Sequence, residues 1–137
     1  MAIEWIILAD SAQINSNKLY MLGGGWDRLT VKGSLPTQRN CSLALAFKIP
    51  WAETNQRQEF KVRFLDEDGN EFHQQITGRL ETGRPAGLPA GSDQRVQLAV
   101  DLRFTIERIG SYVVEVTLND RETARTTFHV VNTGQNS

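Results

Sequence analysis

Three consecutive glycines, followed by a tryptophan and an aspartate, form the segment of this chain best suited to small-ligand chemistry. In Gly23-Gly24-Gly25-Trp26-Asp27, successive backbone N–H groups could surround an anion, and the Trp26 ring could carry a ligand. Phosphate-binding glycine loops stand between a strand and a helix, and this sequence predicts no helix there. A β-bulge or sharp corner is the favoured interpretation. Ligand binding by Gly24, Trp26 and Asp27 is the alternative.

Metal-binding and nucleophilic side chains are few and scattered. His73 and His129 are predicted on the outward faces of separate strands, and Cys41 as a partly buried residue, without the spacing of a zinc site. The acidic turn at residues 66–71 has the composition of a calcium loop, but Thr77 stands where the last ligand belongs. No nucleophile elbow gives a hydrolase triad a place. We therefore expect no metal, no cofactor and no enzyme activity.

The longest irregular segment, residues 82–93, is rich in glycine and proline. Long loops on a rigid scaffold often carry function. Arg84 within it could donate two hydrogen bonds to a carboxylate of a partner. A crossover between two sheets is an equally favoured interpretation of this loop.

Two N-terminal strands are predicted to be apolar on both faces, at residues 5–9 and 19–22. A strand with one face in water does not have this composition. Either these strands are covered on both sides, or their outer face meets another chain. The second alternative predicts an interface, because exposed apolar patches and aromatic residues mark binding surfaces. The side chains that would form it are Trp5, Ile7, Tyr20, Leu22 and Trp51.

Alternation of apolar and polar residues predicts the elements that position these groups. Every second residue is apolar from Gln94 to Ile106 and from Tyr112 to Leu118, which is the period of a half-buried strand. About eight such runs, separated by turn residues, predict an all-β, antiparallel two-sheet sandwich, immunoglobulin-like or a related Greek key. Residues 1–132 form the predicted single domain, and residues 133–137 form a flexible tail.

Two details of the predicted sandwich can be checked individually. Residues 26–31 are expected to continue the second strand beyond the glycines. Tyr112, which follows Gly110-Ser111, is expected to pack at a sandwich corner with its hydroxyl bound to nearby backbone.

The charge balance limits the classes of partner. Fifteen basic and sixteen acidic residues give a net charge of −1. Nucleic-acid binders usually carry a basic excess, so neither nucleic acid nor an anionic membrane is expected as a partner. The single cysteine favours a reducing compartment, and the first ten residues lack a basic leader. We expect a cytoplasmic protein that binds another protein or a second copy of itself.

The N-terminal segment also resembles a known family. The phrases that carry the resemblance are Ala9-Asp10-Ser11-Ala12, Lys18-Leu19-Tyr20 and Gly23-Gly24-Gly25-Trp26-Asp27. They are similar to the opening of an uncharacterised bacterial family of small proteins, with Asn17 where that pattern has glycine. Asn17 can adopt the same left-handed backbone angles. The resemblance implies a β-sandwich and no known activity.

These observations favour a non-catalytic protein–protein interaction or assembly module. The alternative is a small-ligand or carbohydrate-binding β-sandwich that uses Trp26 and the glycine loop.

Overall fold

The computed structural model describes residues 1–132, which form nine strands and one short 3₁₀ helix, Trp51–Glu53. The strands are β1 (Ala2–Asn15), β2 (Lys18–Gly24), β3 (Arg28–Val31), β4 (Thr37–Ile49), β5 (Gln58–Asp66), β6 (Glu71–Leu80), β7 (Gln94–Ile106), β8 (Gly110–Leu118) and β9 (Glu122–Asn132). The predicted tail, residues 133–137, lies outside the described residues. Within those residues, no helix has the length and apolar character needed to cross a membrane.

The strands form two sheets that pack face to face. The four-stranded sheet has the order β2-β1-β4-β7, and the five-stranded sheet has the order β3-β9-β8-β5-β6. The predicted all-β sandwich is confirmed, with nine strands instead of about eight. All of its strand pairs are antiparallel except β3 with β9, which are parallel.

The path after the glycines differs from the prediction. Residues 28–31 do not continue β2 but cross to the other sheet, where Leu29 lies opposite Val130. Gly23 and Gly25 have φ angles of +61° and +84°, in the left-handed region that favours glycine. These two residues turn the chain between the sheets, as the corner interpretation predicted.

Aromatic rings fill the space between the sheets. Phe104 and Phe128 stack with ring centroids 5.7 Å apart, and both are fully buried. The Tyr112 hydroxyl donates to the Arg108 carbonyl at 2.5 Å, which confirms the predicted corner. His73 was predicted to face outward, and this is wrong, because its ring lies 4.8 Å from Phe64 and the residue is half-buried. His129 is exposed, as predicted.

The β1–β2 hairpin bends away from its own sheet and folds over the sheet's outer face. β1 pairs with β4 only from Ala2 to Ala9. β4 lies between β1 and β7 in the sheet order, and strands two positions apart in a flat sheet are roughly 10 Å apart. Both β1 and β2 nevertheless contact β7, which requires the hairpin to bend over β4. At the hairpin tip, the Gln97 side-chain amide of β7 donates to the Asn17 carbonyl at 3.1 Å.

A second, smaller apolar cluster lies under the folded hairpin. In β4, Leu43 and Leu45 face the main core, so Ala44 between them faces the opposite side, yet Ala44 is fully buried. Ala44 clusters with other small residues, against which half-buried larger side chains pack. The members of this second cluster are Ala9, Ala12, Ala44, Trp5, Ile7, Leu19, Met21 and Ala99. β1 is therefore apolar on both faces because it has the main core on one side and the second cluster on the other.

Candidate functional site

The structure distributes the five predicted interface residues over three places. Trp5 and Ile7 are half-buried in the second cluster. Tyr20 and Leu22 are exposed on the outer surface of the hairpin, by 49% and 73%. Trp51 lies in the 3₁₀ helix, where it meets Arg84 instead of the hairpin residues.

The outer surface of β2 has the properties of an unprotected sheet edge. Leu19 and Met21 turn toward the second cluster, while Tyr20 and Leu22 alternate with them and face solvent. β2 pairs with β1 on one side only, so its other backbone edge has no strand partner among the described residues. Edge strands usually carry charges that prevent pairing with another chain. After Lys18, β2 has none.

Arg84 and Trp51 fix the long loop to the body of the protein. The Arg84 guanidinium carbon lies 4.0 Å from the centre of the Trp51 ring. Its Nε donates to Thr54 Oγ1 at 2.7 Å, and its Nη2 donates to the Trp51 carbonyl at 2.9 Å. The loop connects β6 and β7, which belong to different sheets. The crossover interpretation therefore describes this loop, and Arg84 uses these donors within the chain.

A cavity of about 490 Å³ lies beside the glycine loop, where β1 separates from β4. We call it the end cavity. Its lining residues are Asp10, Gly23, Gly24, Gly25, Trp26, Arg28, Leu29, Thr30 and Arg39. Of the predicted loop candidates, Gly24 and Trp26 belong to this lining, whereas Asp27 does not. The backbone carbonyl of Asp27 accepts a hydrogen bond from the His129 N–H at 2.9 Å.

Trp26 combines a core contact with an unsatisfied polar atom. Its ring packs edge-on against Phe128, with centroids 5.6 Å apart. Its Nε1 is buried and has no acceptor among the described residues. Buried polar groups in folded proteins nearly always have a hydrogen-bond partner. The Trp26 Nε1–H is an exception, because the described residues supply no acceptor for it.

Arg39 is the main electrostatic feature of the end cavity. It is half-buried, and its Nη1 donates to the Thr30 carbonyl at 2.6 Å. Among residues 1–132, no carboxylate forms an ion pair with Arg39 or with Arg28 at the rim. Arg63 is half-buried as well, and it pairs with Glu115 at 3.6 Å. Arg39 therefore has a partly desolvated charge without a protein counter-charge.

Cys41 lies two residues after Arg39, and its thiol is buried and poorly ionised. Burial, the largest cause, and the negative charge of Asp10 raise the pKa of its thiol, while Arg39 opposes both effects, and the net change is from 9.0 to about 11. Among the described residues, no group of three or more His, Cys, Asp or Glu side chains could hold a metal ion.

We expect the Cys41 thiol to react with a disulfide reagent at pH 8 at least about 100-fold more slowly in the folded protein than in denaturant. The higher pKa in the folded state leaves about a hundredth as much thiolate, and burial slows access further. Because the unfolded thiol ionises first, the pKa difference also lowers stability as the pH rises from 9.0 toward about 11. Equal reaction rates in the two states would contradict this assignment.

Sequence reasoning missed Arg39 and Asp10, although one signal was present. Arg39 has the same phase in β4 as Cys41 and Leu43, which face the core. A charged residue on the apolar phase of a strand indicates either a strand end or a site. Asp10 gives no such signal, because it enters the cavity only through the bend of the hairpin.

The fold and these two sites define a small all-β sandwich with a folded-over N-terminal hairpin and an open end cavity. The model of one protein family, the family of unknown function DUF6941, matches residues 4–131. The chain belongs to that family, whose unknown function fits the expectation of an uncharacterised family. A search of curated proteins finds none that matches this chain.

Proposed function

We propose that this protein is a non-catalytic interaction module that binds another protein through the outer surface of the β1–β2 hairpin. The observation that carries the proposal is the exposure of Tyr20 and Leu22 on an edge strand with a free backbone. Two of the three exposed large apolar side chains of the described residues stand there, two positions apart.

The chemistry of this surface suits a protein partner. Tyrosine is enriched at protein interfaces, because its ring buries apolar area while its hydroxyl keeps a hydrogen bond. An edge strand adds backbone N–H and C=O groups that an extended segment of a partner can pair with. Trp5 and Ile7 take a supporting role, since they hold the hairpin in place from beneath, and Trp51 lies elsewhere, against Arg84.

We expect the double substitution Tyr20→Glu/Leu22→Glu to abolish partner capture without loss of the fold. Both side chains are exposed, so the free energy of unfolding should change by only about 0.5 kcal/mol per site. The measurement is quantitative capture from a lysate of the native host, with urea unfolding of the same protein samples.

Ile109→Glu is the matched control, because Ile109 is 52% exposed and belongs to the segment between β7 and β8. This control should retain the partner. Capture by the double variant at the level of the unsubstituted protein would exclude the hairpin surface. Loss of capture in Ile109→Glu as well would show that an added negative charge abolishes capture wherever it stands. That result would contradict a specific role for the hairpin surface.

Small-ligand binding at the glycine loop is the second candidate function. The end cavity and the unpaired guanidinium of Arg39 favour it. A carbohydrate would need an open aromatic face, whereas Trp26 is half-buried and packs against Phe128. The geometry therefore favours a charged ligand over a sugar.

The source, compartment, strand arrangement and partner class that we propose are those expected from the sequence. We propose a bacterial, cytoplasmic protein with an immunoglobulin-like arrangement of strands. Its partner is another protein or a second copy of the chain, and nucleic acid, membranes and cofactors are not part of the proposal. The near-neutral net charge of −1 supports this choice of partners.

A further inference from the structure

We propose that the end cavity binds a compact oxyanion, a phosphate or a carboxylate, with Arg39 as its principal ligand. This inference does not depend on the hairpin surface, because Tyr20 and Leu22 are not among the residues that line the cavity.

Arg39 carries a positive charge that pairs with no carboxylate among residues 1–132. A guanidinium that loses part of its water shell needs a counter-charge or several acceptors to offset the cost of desolvation. Among the described residues, the Arg39 guanidinium makes one hydrogen bond, from Nη1 to the Thr30 carbonyl. Its remaining N–H groups form a fork of the geometry that binds phosphate and carboxylate with two parallel hydrogen bonds.

The charged residues around the cavity are predominantly basic. Arg28, at the rim, adds a second guanidinium that has no ion pair among residues 1–132. Asp10 is the only acidic residue of the lining. The two cations outweigh this carboxylate, and Asp10 accepts a hydrogen bond best from a ligand that carries an O–H group. Monoprotonated phosphate and hydroxy acids combine an anionic oxygen with such a group.

The glycines make room for a ligand in the end cavity, and they are not its main hydrogen-bond donors. The Gly25 N–H donates to the Leu8 carbonyl at 2.7 Å, so it is not available to a ligand. A side chain at Gly25 would meet nothing within 4 Å, which shows how open this wall is. Trp26 lines the same cavity, and its unpaired Nε1 makes its indole N–H resonance a sensitive reporter of binding.

The test is a titration of the ¹⁵N-labelled protein with inorganic phosphate, followed by NMR at constant ionic strength. Acetate serves as the carboxylate arm, and sodium chloride serves as the salt arm. We expect saturable shifts of the Trp26 indole N–H and the Arg39 side-chain resonances, with dissociation constants in the millimolar range or tighter. Phosphate saturation without acetate saturation would assign the site to phosphate, and the reverse would assign it to carboxylates.

Arg39→Gln should weaken the binding at least tenfold, because it removes the charge and the fork of donors. Arg103→Gln is the matched control: Arg103 is exposed, forms no ion pair among the described residues and lies in neighbouring β7, outside the lining. The control should bind as the unsubstituted protein does. If Arg39→Gln does not fold, Arg28→Gln at the exposed rim replaces it, with an expected loss of severalfold.

Three results would overturn the proposal. They are the absence of saturable shifts at tens of millimolar phosphate and acetate, equal shifts with sodium chloride, and equal losses in the lining variant and in Arg103→Gln. The Tyr20→Glu/Leu22→Glu protein should keep its anion affinity. Failure of the oxyanion site therefore remains distinguishable from failure of the interaction surface.

Discussion

Replacement of Phe128 by alanine is expected to lower the free energy of unfolding by about 3–5 kcal/mol. The Phe128 side chain is fully buried and contacts aromatic rings on both sheets and at the glycine corner. Its ring centroid lies 5.7 Å from that of Phe104, 5.3 Å from that of Tyr112 and 5.6 Å from that of Trp26. Alanine leaves a cavity at the point where these rings meet, and the rigid sheets around it cannot collapse to fill the space.

Urea unfolding followed by circular dichroism measures this loss. Ile109→Ala provides the matched control, because an exposed apolar side chain should contribute only about 0.5 kcal/mol. A loss below about 1 kcal/mol for Phe128→Ala would mean that the aromatic cluster is not the centre of the core. In that case the position of Trp26 at the end cavity would also need revision.

Ala44→Glu is expected to cost about 3 kcal/mol or more, because it places a carboxylate without a partner at a fully buried site. Ala44 lies beneath the folded hairpin and not in the main core. The carboxylate can therefore reach water only if the hairpin lifts from the sheet. Hydrogen exchange of the amides in β1 and β2, together with urea unfolding, measures both effects.

Ala90→Glu adds the same charge at an exposed loop position and should leave both measurements unchanged. Faster exchange confined to the hairpin would show that Ala44→Glu releases the hairpin while the sandwich persists. Unchanged stability and unchanged exchange in Ala44→Glu would contradict the placement of the hairpin over the outer face.

Local pattern was sufficient to predict much of the sandwich. The alternation in β7 and β8 predicted both strands, because each has one face on the core along much of its length. Residues 26–31 were predicted to be extended but were placed in the wrong sheet, because a pattern as short as that of the four residues of β3 does not show which sheet a strand joins. The assignment of β3 depends on the pairing with β9, which is about a hundred residues away and leaves no local signal.

The candidate sites were predictable to different degrees. The apolar composition of residues 5–9 left open whether their outer face is covered or meets another chain, and it gave no sign that the hairpin itself supplies cover. Tyr20 and Leu22 show the same apolar composition as Trp5 and Ile7. Only the bend of the hairpin leaves the first pair exposed and the second pair half-buried. The end cavity joins Asp10, the glycine corner and Arg39, so it exists only once β1, β3 and β4 have come together.

The parallel pairing of β3 with β9 also determines the order in which this molecule can assemble. Residues 28–31 can pair only once residues 129–132 have been synthesised. The five-stranded sheet is therefore complete only after nearly all of the described chain has been made. The β1–β2 hairpin, in contrast, joins neighbours in sequence and can form early. Until β9 arrives, the apolar residues that pack against it stay exposed, and exposed apolar surface on a partly folded chain favours aggregation.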